Sequence, residues 1–207
     1  MNSHESITGT AAPRRGGAQR ASRLVRRPLL LAAGALALYA QSALATLAVG
    51  AAAPDFTAEA ALGGKTFTFS LAQALRKGPV VLYFYPKSFT SGCTVEAHNF
   101  AEAAPAFESL GASLIGMSND DIATQKEFST KECRDKFPVA ADAGAKVARQ
   151  YDATFTLMPN TADRVSYVIG PDGKVLYVYA SLDPDQHVTN TLKAVQAWRK
   201  QQAPAKP

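Results

Sequence analysis

A continuous apolar run, Val80 to Tyr85, is the strongest hydrophobic pattern in the 207-residue chain. It follows Gly78-Pro79 and ends at Pro86, so we predict a strand that is covered on both faces. A second apolar run, from Ala112 to Met117, predicts a neighbouring strand of the same kind. Together the two runs indicate a central sheet that is buried on both sides.

An amphipathic stretch lies between these two runs and begins at Cys93. Phe100, Ala104 and Phe107 follow at helical spacing, which predicts a helix with one apolar face. Pro105 lies within this stretch and is expected to break or kink the helix, because proline lacks the N–H that the helix needs.

Weaker patterns predict the other elements. They are an extended entry over 46–53, a strand over 66–70, a helical turn over 71–76, a helix from 118 to about 133, a strand over 138–141, a helix over 143–151, paired strands over 164–169 and 175–180, and a final helix from 183. Strands and helices alternate first and a hairpin follows. This order predicts an α/β fold, a thioredoxin-like sandwich with a mixed central sheet flanked by helices.

The N-terminal 45 residues have a composition of their own. Arginines come first, a short apolar segment covers 29–40, and Ala43-Leu44-Ala45 forms a small-residue cleavage site. We therefore predict a cleaved secretory signal peptide over 1–45, a single domain over 46–200 and a disordered tail over 201–207. An exported, periplasmic protein is expected, by either the general secretory or the twin-arginine route. A disordered basic arm is the alternative interpretation.

The net positive charge of the chain comes from this segment. It holds six arginines and one glutamate, so its removal takes 22 basic residues to 16 and 17 acidic residues to 16, and the net charge falls from +5 to 0. The basic balance of the whole chain therefore gives no support for nucleic-acid binding. The apolar segment is also shorter than the ~18 residues of a membrane span, and no membrane association is expected after cleavage.

Cys93 is the main candidate for chemistry. A helix N-terminus offers unpaired N–H groups and a partial positive charge, and both favour a thiolate. The N–H groups of Gly92 and Cys93, together with the Thr90 hydroxyl, could orient bound oxygens. An ordinary buried cysteine is the alternative. Glu96 is interpreted as the first-turn acid of the helix, which suits the helix dipole, with simple helix capping as its alternative role, and it is left outside the catalytic set.

The spacing of Pro86, Thr90 and Cys93 resembles the Pro-x-x-x-Thr-x-x-Cys signature of the peroxiredoxins. The continuation Cys93-Thr94-Val95-Glu96 looks like the PrxQ, or bacterioferritin-comigratory-protein, branch of the AhpC/TSA type. The resemblance extends from about Gly50 to Trp198. It implies that Cys93 is the peroxidatic cysteine, that Pro86 shields the sulfur, and that Arg164 supplies a fixed cation. A solvated strand-end arginine is the alternative for Arg164.

Cys133 is the candidate resolving cysteine. Many PrxQ relatives place the resolving cysteine five residues after the first, where this chain has His98. The resemblance therefore implies a subgroup that resolves from the next helix, which is predicted to end at Cys133. A structural disulfide partner and an inert free thiol remain the alternatives for Cys133.

The predicted function is thus that of an atypical 2-Cys, thiol-dependent peroxidase acting on hydrogen peroxide or organic hydroperoxides. No cofactor and no metal are expected. The expected partners are the peroxide and a thioredoxin-like or other exported thiol reductant, and the chain would be a monomer or weak dimer. A non-catalytic binding module with a static Cys93–Cys133 disulfide is the main alternative. A disulfide reductase is a weaker one, since the chain has no Cys-x-x-Cys.

Overall fold

The structure is a computed structural model that describes residues 46–202. Within this range the elements along the chain are β1 (Thr57–Leu62), β2 (Lys65–Ser70), α1 (Leu71–Leu75), β3 (Val80–Phe84), α2 (Ser91–Ser109), β4 (Ser113–Ser118), α3 (Ile122–Lys131), β5 (Val139–Ala141), α4 (Lys146–Gln150), β6 (Thr154–Phe155), β7 (Met158–Ala162), β8 (Val165–Ile169), β9 (Val175–Ala180) and α5 (Asp185–Gln202). In this part of the chain, no helix has the length and apolar character needed to cross a membrane.

Seven strands form one mixed sheet in the order β2-β1-β5-β4-β3-β8-β9. β3 runs parallel to β4 and antiparallel to β8, and β8 continues into the hairpin with β9. β6 and β7 form a separate two-stranded sheet. Helices flank the mixed sheet, so the predicted thioredoxin-like α/β fold is confirmed.

β3 is buried along its whole length, and its alternate side chains enter two different cores. Val81 and Tyr83 pack on the side of α2, in the same cluster as Phe100. Leu82 lies on the opposite side, in the cluster that contains Tyr167. This division follows from the two-residue period of a strand. Because Leu82 is fully buried, we expect Leu82→Ala to cost about 2–5 kcal/mol of stability.

Two strand regions were not anticipated from the sequence. β1 pairs with both β2 and β5, but three of its six residues are alanines, which are depleted in strands. β7 contains Pro159, which also argues against a strand. In both cases strand pairing outweighs local propensity. The segment 46–53, predicted as extended, instead contains a turn at Val49-Gly50 before the bridge between Ala52 and Lys174.

Three predicted boundaries are wrong. α2 does not break at Pro105 but continues to Ser109. Pro105 lies on the exposed face of the helix, so its ring does not disturb the packing of the buried face. α3 begins after Asp121, whose carboxylate accepts a hydrogen bond from the N–H of Thr124, and it ends at Lys131 rather than Cys133. α5 extends to Gln202, so the helix includes the first two residues of the predicted tail. The predicted signal peptide and residues 203–207 lie outside the described residues.

Candidate active site

Cys93 lies in the first turn of α2, directly beyond the loop that leaves β3. Thr90 is the N-cap residue, with extended φ and ψ of −81° and 152°. Its hydroxyl donates to the carbonyl of Lys87 at 2.9 Å and thereby closes the loop. Phe89 has a positive φ of 64°, which lets the chain reverse sharply into the helix. The Cys93 side chain is buried, at the end of the helix where backbone N–H groups lack helical partners.

A buried carboxylate holds the loop in place from the neighbouring strand end. Asp120 accepts a hydrogen bond from the N–H of Ser88 at 2.7 Å and one from the hydroxyl of Ser118 at 2.8 Å. It also pairs with Lys87 at 3.2 Å. These bonds fix the two residues that follow Pro86. Pro86 itself is partly buried between this anchored loop and β3.

Arg164 reaches the cysteine from the start of β8. Its guanidinium donates from Nη2 to Cys93 Sγ at 3.3 Å and from Nε to the carbonyl of Leu182 at 3.0 Å. The Arg164 side chain is only 6% exposed, so this cation meets the sulfur with little solvent screening. Gly92 leaves the necessary room, because a Cβ there would lie 3.1 Å from Nη2.

Glu96 contacts the other side of the same guanidinium. One of its carboxyl oxygens, Oε2, accepts a short hydrogen bond from Arg164 Nη1, and the side chain is fully buried. Burial raises the pKa of Glu96 to about 8, although Arg164 opposes this shift. The interpretation of Glu96 as an acid of the helix start is therefore wrong. It lies beyond the first turn of α2 and faces the interior.

His187 of α5 lies behind Glu96 and is also fully buried. Its Nδ1 is 2.8 Å from the hydroxyl of Ser166 and 3.6 Å from Glu96 Oε1. Its Nε2 faces the carbonyl of Ser181 at 2.9 Å. Burial lowers the pKa of His187 to about 4, which keeps the imidazole neutral near neutral pH.

Cys133 lies two residues beyond the end of α3, within the core cluster that also contains Cys93 and Phe100. Both cysteines are free thiols. Burial, reinforced by Glu132 and Asp135, raises the pKa of the Cys133 thiol well above its ordinary value. The two residues that follow it, Arg134 and Asp135, both have positive φ, 52° and 58°. Such conformations are costly for residues other than glycine.

Two side-chain pairs connect the Cys133 segment to α2. His98 Nε2 is 2.7 Å from Glu132 Oε2, and Arg134 Nη1 is 3.3 Å from Glu102 Oε1. The pairs therefore lie on either side of Cys133 in the sequence. His98, which occupies the commoner resolving position, thus helps to hold the segment that carries Cys133.

The structure brings together most of the predicted site. Pro86 and Thr90 border the cysteine loop, Arg164 contacts Cys93, and Cys133 shares the same core. Sequence reasoning missed the Glu96–His187 part, because its members come from different elements. The one sequence signal for His187 was its helical spacing from Val195, which places both residues on the buried face of α5. Among residues 46–202, no cluster of three or more His, Cys, Asp or Glu side chains suits a metal ion.

A thioredoxin-like fold with an arginine-bound cysteine at a helix N-terminus is the arrangement expected of a peroxiredoxin. The model of the AhpC/TSA family matches residues 49–178. The chain therefore belongs to the AhpC/TSA family, and the resemblance drawn from its motifs is confirmed.

Individual relatives agree with this assignment. Chloroplastic peroxiredoxin Q of Oryza sativa subsp. japonica is 36% identical over 149 residues, which cover 72% of this chain and 66% of the relative. The chain thus spans about two thirds of that protein's length. Peroxidoxin BcpB of Mycobacterium tuberculosis superposes with a TM-score of 0.65 at 33% identity, covering 72% of this chain and 96% of that one. A PrxQ mutant of Xylella fastidiosa, 22% identical with a TM-score of 0.66, covers 74% and 98% of the two chains and shares the fold.

The predicted periplasmic location is wrong by these comparisons. The relatives from Oryza sativa and Arabidopsis thaliana, each 36% identical to this chain, are named as chloroplastic proteins. The prediction of the periplasm relied on the charge pattern of the N-terminal segment. Arginine-rich, acid-poor N-terminal segments are common to secretory signals and organelle transit peptides, so their charge pattern does not identify a compartment.

Proposed function

We propose that this chain is a thiol-dependent peroxidase that reduces hydroperoxides at Cys93. The observation that carries the proposal is the 3.3 Å contact between Cys93 Sγ and the buried Arg164 guanidinium, at the N-terminus of α2. A cation and a helix N-terminus that meet at one sulfur both stabilise the thiolate. A core cysteine without a chemical role would need neither.

The first step is attack of the Cys93 thiolate on the O–O bond. A new S–O bond forms while the O–O bond breaks, the sulfur becomes a sulfenic acid, and the leaving oxygen takes a proton to depart as water or an alcohol. Arg164 lies where it can stabilise negative charge as that charge moves from sulfur to oxygen. The unpaired N–H groups of Gly92 and Cys93 can orient the peroxide.

Thr90 and Pro86 are proposed to shape the pocket around the sulfur. The Thr90 hydroxyl uses its hydrogen on the carbonyl of Lys87, so its oxygen lone pairs remain available as acceptors for a peroxide O–H. Pro86 offers no N–H that would compete for the thiolate. Both residues would thus help to bind peroxide without quenching the nucleophile.

The second step is proposed to be condensation of the sulfenic acid with Cys133, which forms an intramolecular disulfide and releases water. Both cysteines are free and buried in this structure, and opening of the first turn of α2 and of the segment after α3 is proposed to bring the two sulfurs together. The positive φ values of Arg134 and Asp135 favour such an opening, since leaving them relieves strain. As the segment opens, burial no longer disfavours the Cys133 thiolate, which attacks the sulfenic sulfur, and the thiol proton leaves with the sulfenic hydroxyl as water.

A thioredoxin-like dithiol is proposed to reduce the disulfide, with the chain acting as a monomer or weak dimer. We also propose that residues 1–45 are a targeting segment removed before Thr46. N-terminal sequencing of the native protein tests the cleavage directly. An intact Met1 would contradict it without affecting the peroxidase proposal.

The alternative of a binding module with a static disulfide is not favoured. Family membership argues against it, and a static bridge would not require a cation at Cys93.

Steady-state peroxide consumption with a dithiol donor tests the proposal. Cys93→Ser should abolish turnover and retain the far-ultraviolet spectrum of the fold. Cys133→Ser is the matched control, because it removes the other buried thiol. It should still react once with peroxide and then stall. Wild-type turnover by Cys93→Ser would contradict the proposal.

A further inference from the structure

The tautomer of His187 can be derived from its neighbours. Nε2 faces the carbonyl oxygen of Ser181 at 2.9 Å, and a carbonyl only accepts, so Nε2 carries a hydrogen. In a neutral imidazole Nδ1 then holds a lone pair, and it accepts the hydroxyl hydrogen of Ser166 at 2.8 Å. The nitrogen of His187 that lies nearest to Glu96 therefore carries no hydrogen and offers Glu96 no donor.

Glu96 Oε1 lies 3.6 Å from this Nδ1 and is a buried oxygen with no hydrogen-bond partner among the described residues. If Glu96 were ionised, this oxygen would carry negative charge at a buried position, next to an electron-rich nitrogen that has no hydrogen to donate. Protonation of the carboxyl group removes this repulsion, because the group is then neutral. The geometry thus favours a protonated Glu96.

The charges around Arg164 favour the same state. A single buried guanidinium contacts both Cys93 Sγ and Glu96 Oε2. The other titratable groups close to Glu96 are His187 from α5 and the buried phenol of Tyr83 from β3. None of them adds a second cation near neutral pH. One buried cation cannot balance two buried anions, so a Cys93 thiolate disfavours ionised Glu96.

We infer that Glu96 is a protonated carboxyl group while Cys93 is a thiolate, and that it releases this proton when Cys93 is oxidised. Oxidation turns the sulfur into a neutral sulfenic acid and leaves Arg164 without its anion. Glu96 then ionises to supply one. The burial that raises the pKa of Glu96 to about 8 and lowers that of His187 to about 4 assigns the proton to the carboxyl.

The step balances without any further reactant. The thiolate takes the terminal OH of the peroxide, the O–O bond breaks, and the leaving oxyanion takes one proton from solvent. Glu96 returns one proton to solvent as it ionises. Negative charge therefore moves from Cys93 to Glu96, with Arg164 as the common partner, and the protein and peroxide together exchange no net proton with water. Later condensation with the neutral Cys133 thiol releases water and leaves this count unchanged.

Proton counting tests this inference, which rests on the proposed peroxidase function. The reduced full-length protein receives one equivalent of hydrogen peroxide at pH 7 in weak buffer with a pH indicator. Wild type should take up close to zero protons per peroxide consumed, and Glu96→Gln close to one. Glu108→Gln, a matched control on the exposed face of α2, should behave as wild type. Uptake of one proton by the wild type, or equal counts in wild type and Glu96→Gln, overturns the inference.

Infrared difference spectra of the wild type provide a second readout that needs no variant to fold. Oxidation should remove the carbonyl band of a protonated carboxyl group and add carboxylate bands. An unchanged carboxyl region overturns the inference even where Glu96→Gln is unstable. The failure of the proposed function is a different result, namely that no peroxide is consumed and no sulfenic acid or disulfide forms.

Discussion

Replacing Arg164 with methionine removes the cation at Cys93 while keeping a long side chain of similar volume. The guanidinium is 3.3 Å from Sγ. At an effective dielectric constant of about 20, two unit charges at that distance attract by about 5 kcal/mol. Burial of the sulfur works against its charged form, so the net benefit is smaller than this figure. A group that stabilises developing charge in a buried site contributes about 3–4 kcal/mol.

We therefore expect Arg164→Met to lower the second-order rate constant for oxidation of Cys93 by peroxide by about 10²–10³-fold. Stopped-flow measurement of the first oxidation at pH 7 gives this constant directly. Loss of Arg164 leaves Glu96 without its cation, and the carboxyl can respond by staying neutral. The fold should therefore persist, which circular dichroism can verify.

Two further variants sharpen the test. Arg164→Lys keeps the charge but lacks the planar fork that contacts Cys93, Glu96 and Leu182 together, so its rate should fall between those of wild type and Arg164→Met. Arg199→Met removes an exposed arginine of α5 and should leave the rate unchanged. A rate for Arg164→Met close to that of wild type would refute the reasoning.

Three other predictions follow from neighbouring contacts. Burial raises the pKa of Glu96 from its ordinary 4.5 to about 8, so the stability that Glu96 contributes is complete below pH 4.5 and is lost as the pH rises through about 8. Burial lowers the pKa of His187 from 6.5 to about 4, so the contribution of His187 increases between these two values and is constant above pH 6.5. Between pH 6.5 and 8, the free energy of unfolding measured by urea denaturation should therefore fall in the wild type by up to about 1.4 kcal/mol per pH unit more than in Glu96→Gln. An equal slope in both proteins would contradict this prediction. Glu132→Gln weakens the partly exposed contact between His98 and Glu132 and should speed disulfide formation by up to about fivefold in quenched-flow experiments; slower formation would argue against a restraining role of this contact. Gly92→Ala places a Cβ 3.1 Å from Arg164 Nη2 and should slow the peroxide reaction by about tenfold, whereas an unchanged rate would mean that the guanidinium has room to shift.

The parts of the fold that were predictable have strong local signals. The run Val80 to Tyr85 contains no charged residue, so its burial on both faces could be inferred without knowledge of its partners. The position of Cys93 was equally local, because it depends on a strand end and a helix start only a few residues apart. Pro171-Asp172-Gly173 likewise predicted the hairpin of β8 and β9, which the structure confirms.

The parts that were missed depend on contacts between distant segments. Glu96 and Arg164 are 68 residues apart and Ser166 and His187 are 21 apart, so no periodicity connects them. Glu96 looked like an ordinary helical acid because its burial depends on where α5 packs. β1 was missed for a similar reason, since its alanines form a strand only between β2 and β5.

The end of α3 shows that tertiary contacts can hold the backbone in a conformation that the local sequence does not favour. Helical pattern alone carried the prediction to Cys133, but the helix ends at Lys131. Arg134 and Asp135 then adopt positive φ, which neither residue type favours. Their conformation is held by tertiary contacts such as the bond from the N–H of Asp135 to the carbonyl of Ser129 at 3.1 Å. A strained turn of this kind cannot be inferred from local preference.

The central claim is that Cys93 is the sulfur that peroxide oxidises, and intact mass spectrometry tests it most directly. Reduced wild type, Cys93→Ser and Cys133→Ser are each treated with one equivalent of hydrogen peroxide and then alkylated. We predict that wild type loses two hydrogens and both alkylation sites, that Cys133→Ser gains one oxygen at Cys93, and that Cys93→Ser keeps an unoxidised thiol. Oxidation of Cys93→Ser at Cys133 at the wild-type rate, or no change in wild type, would contradict it.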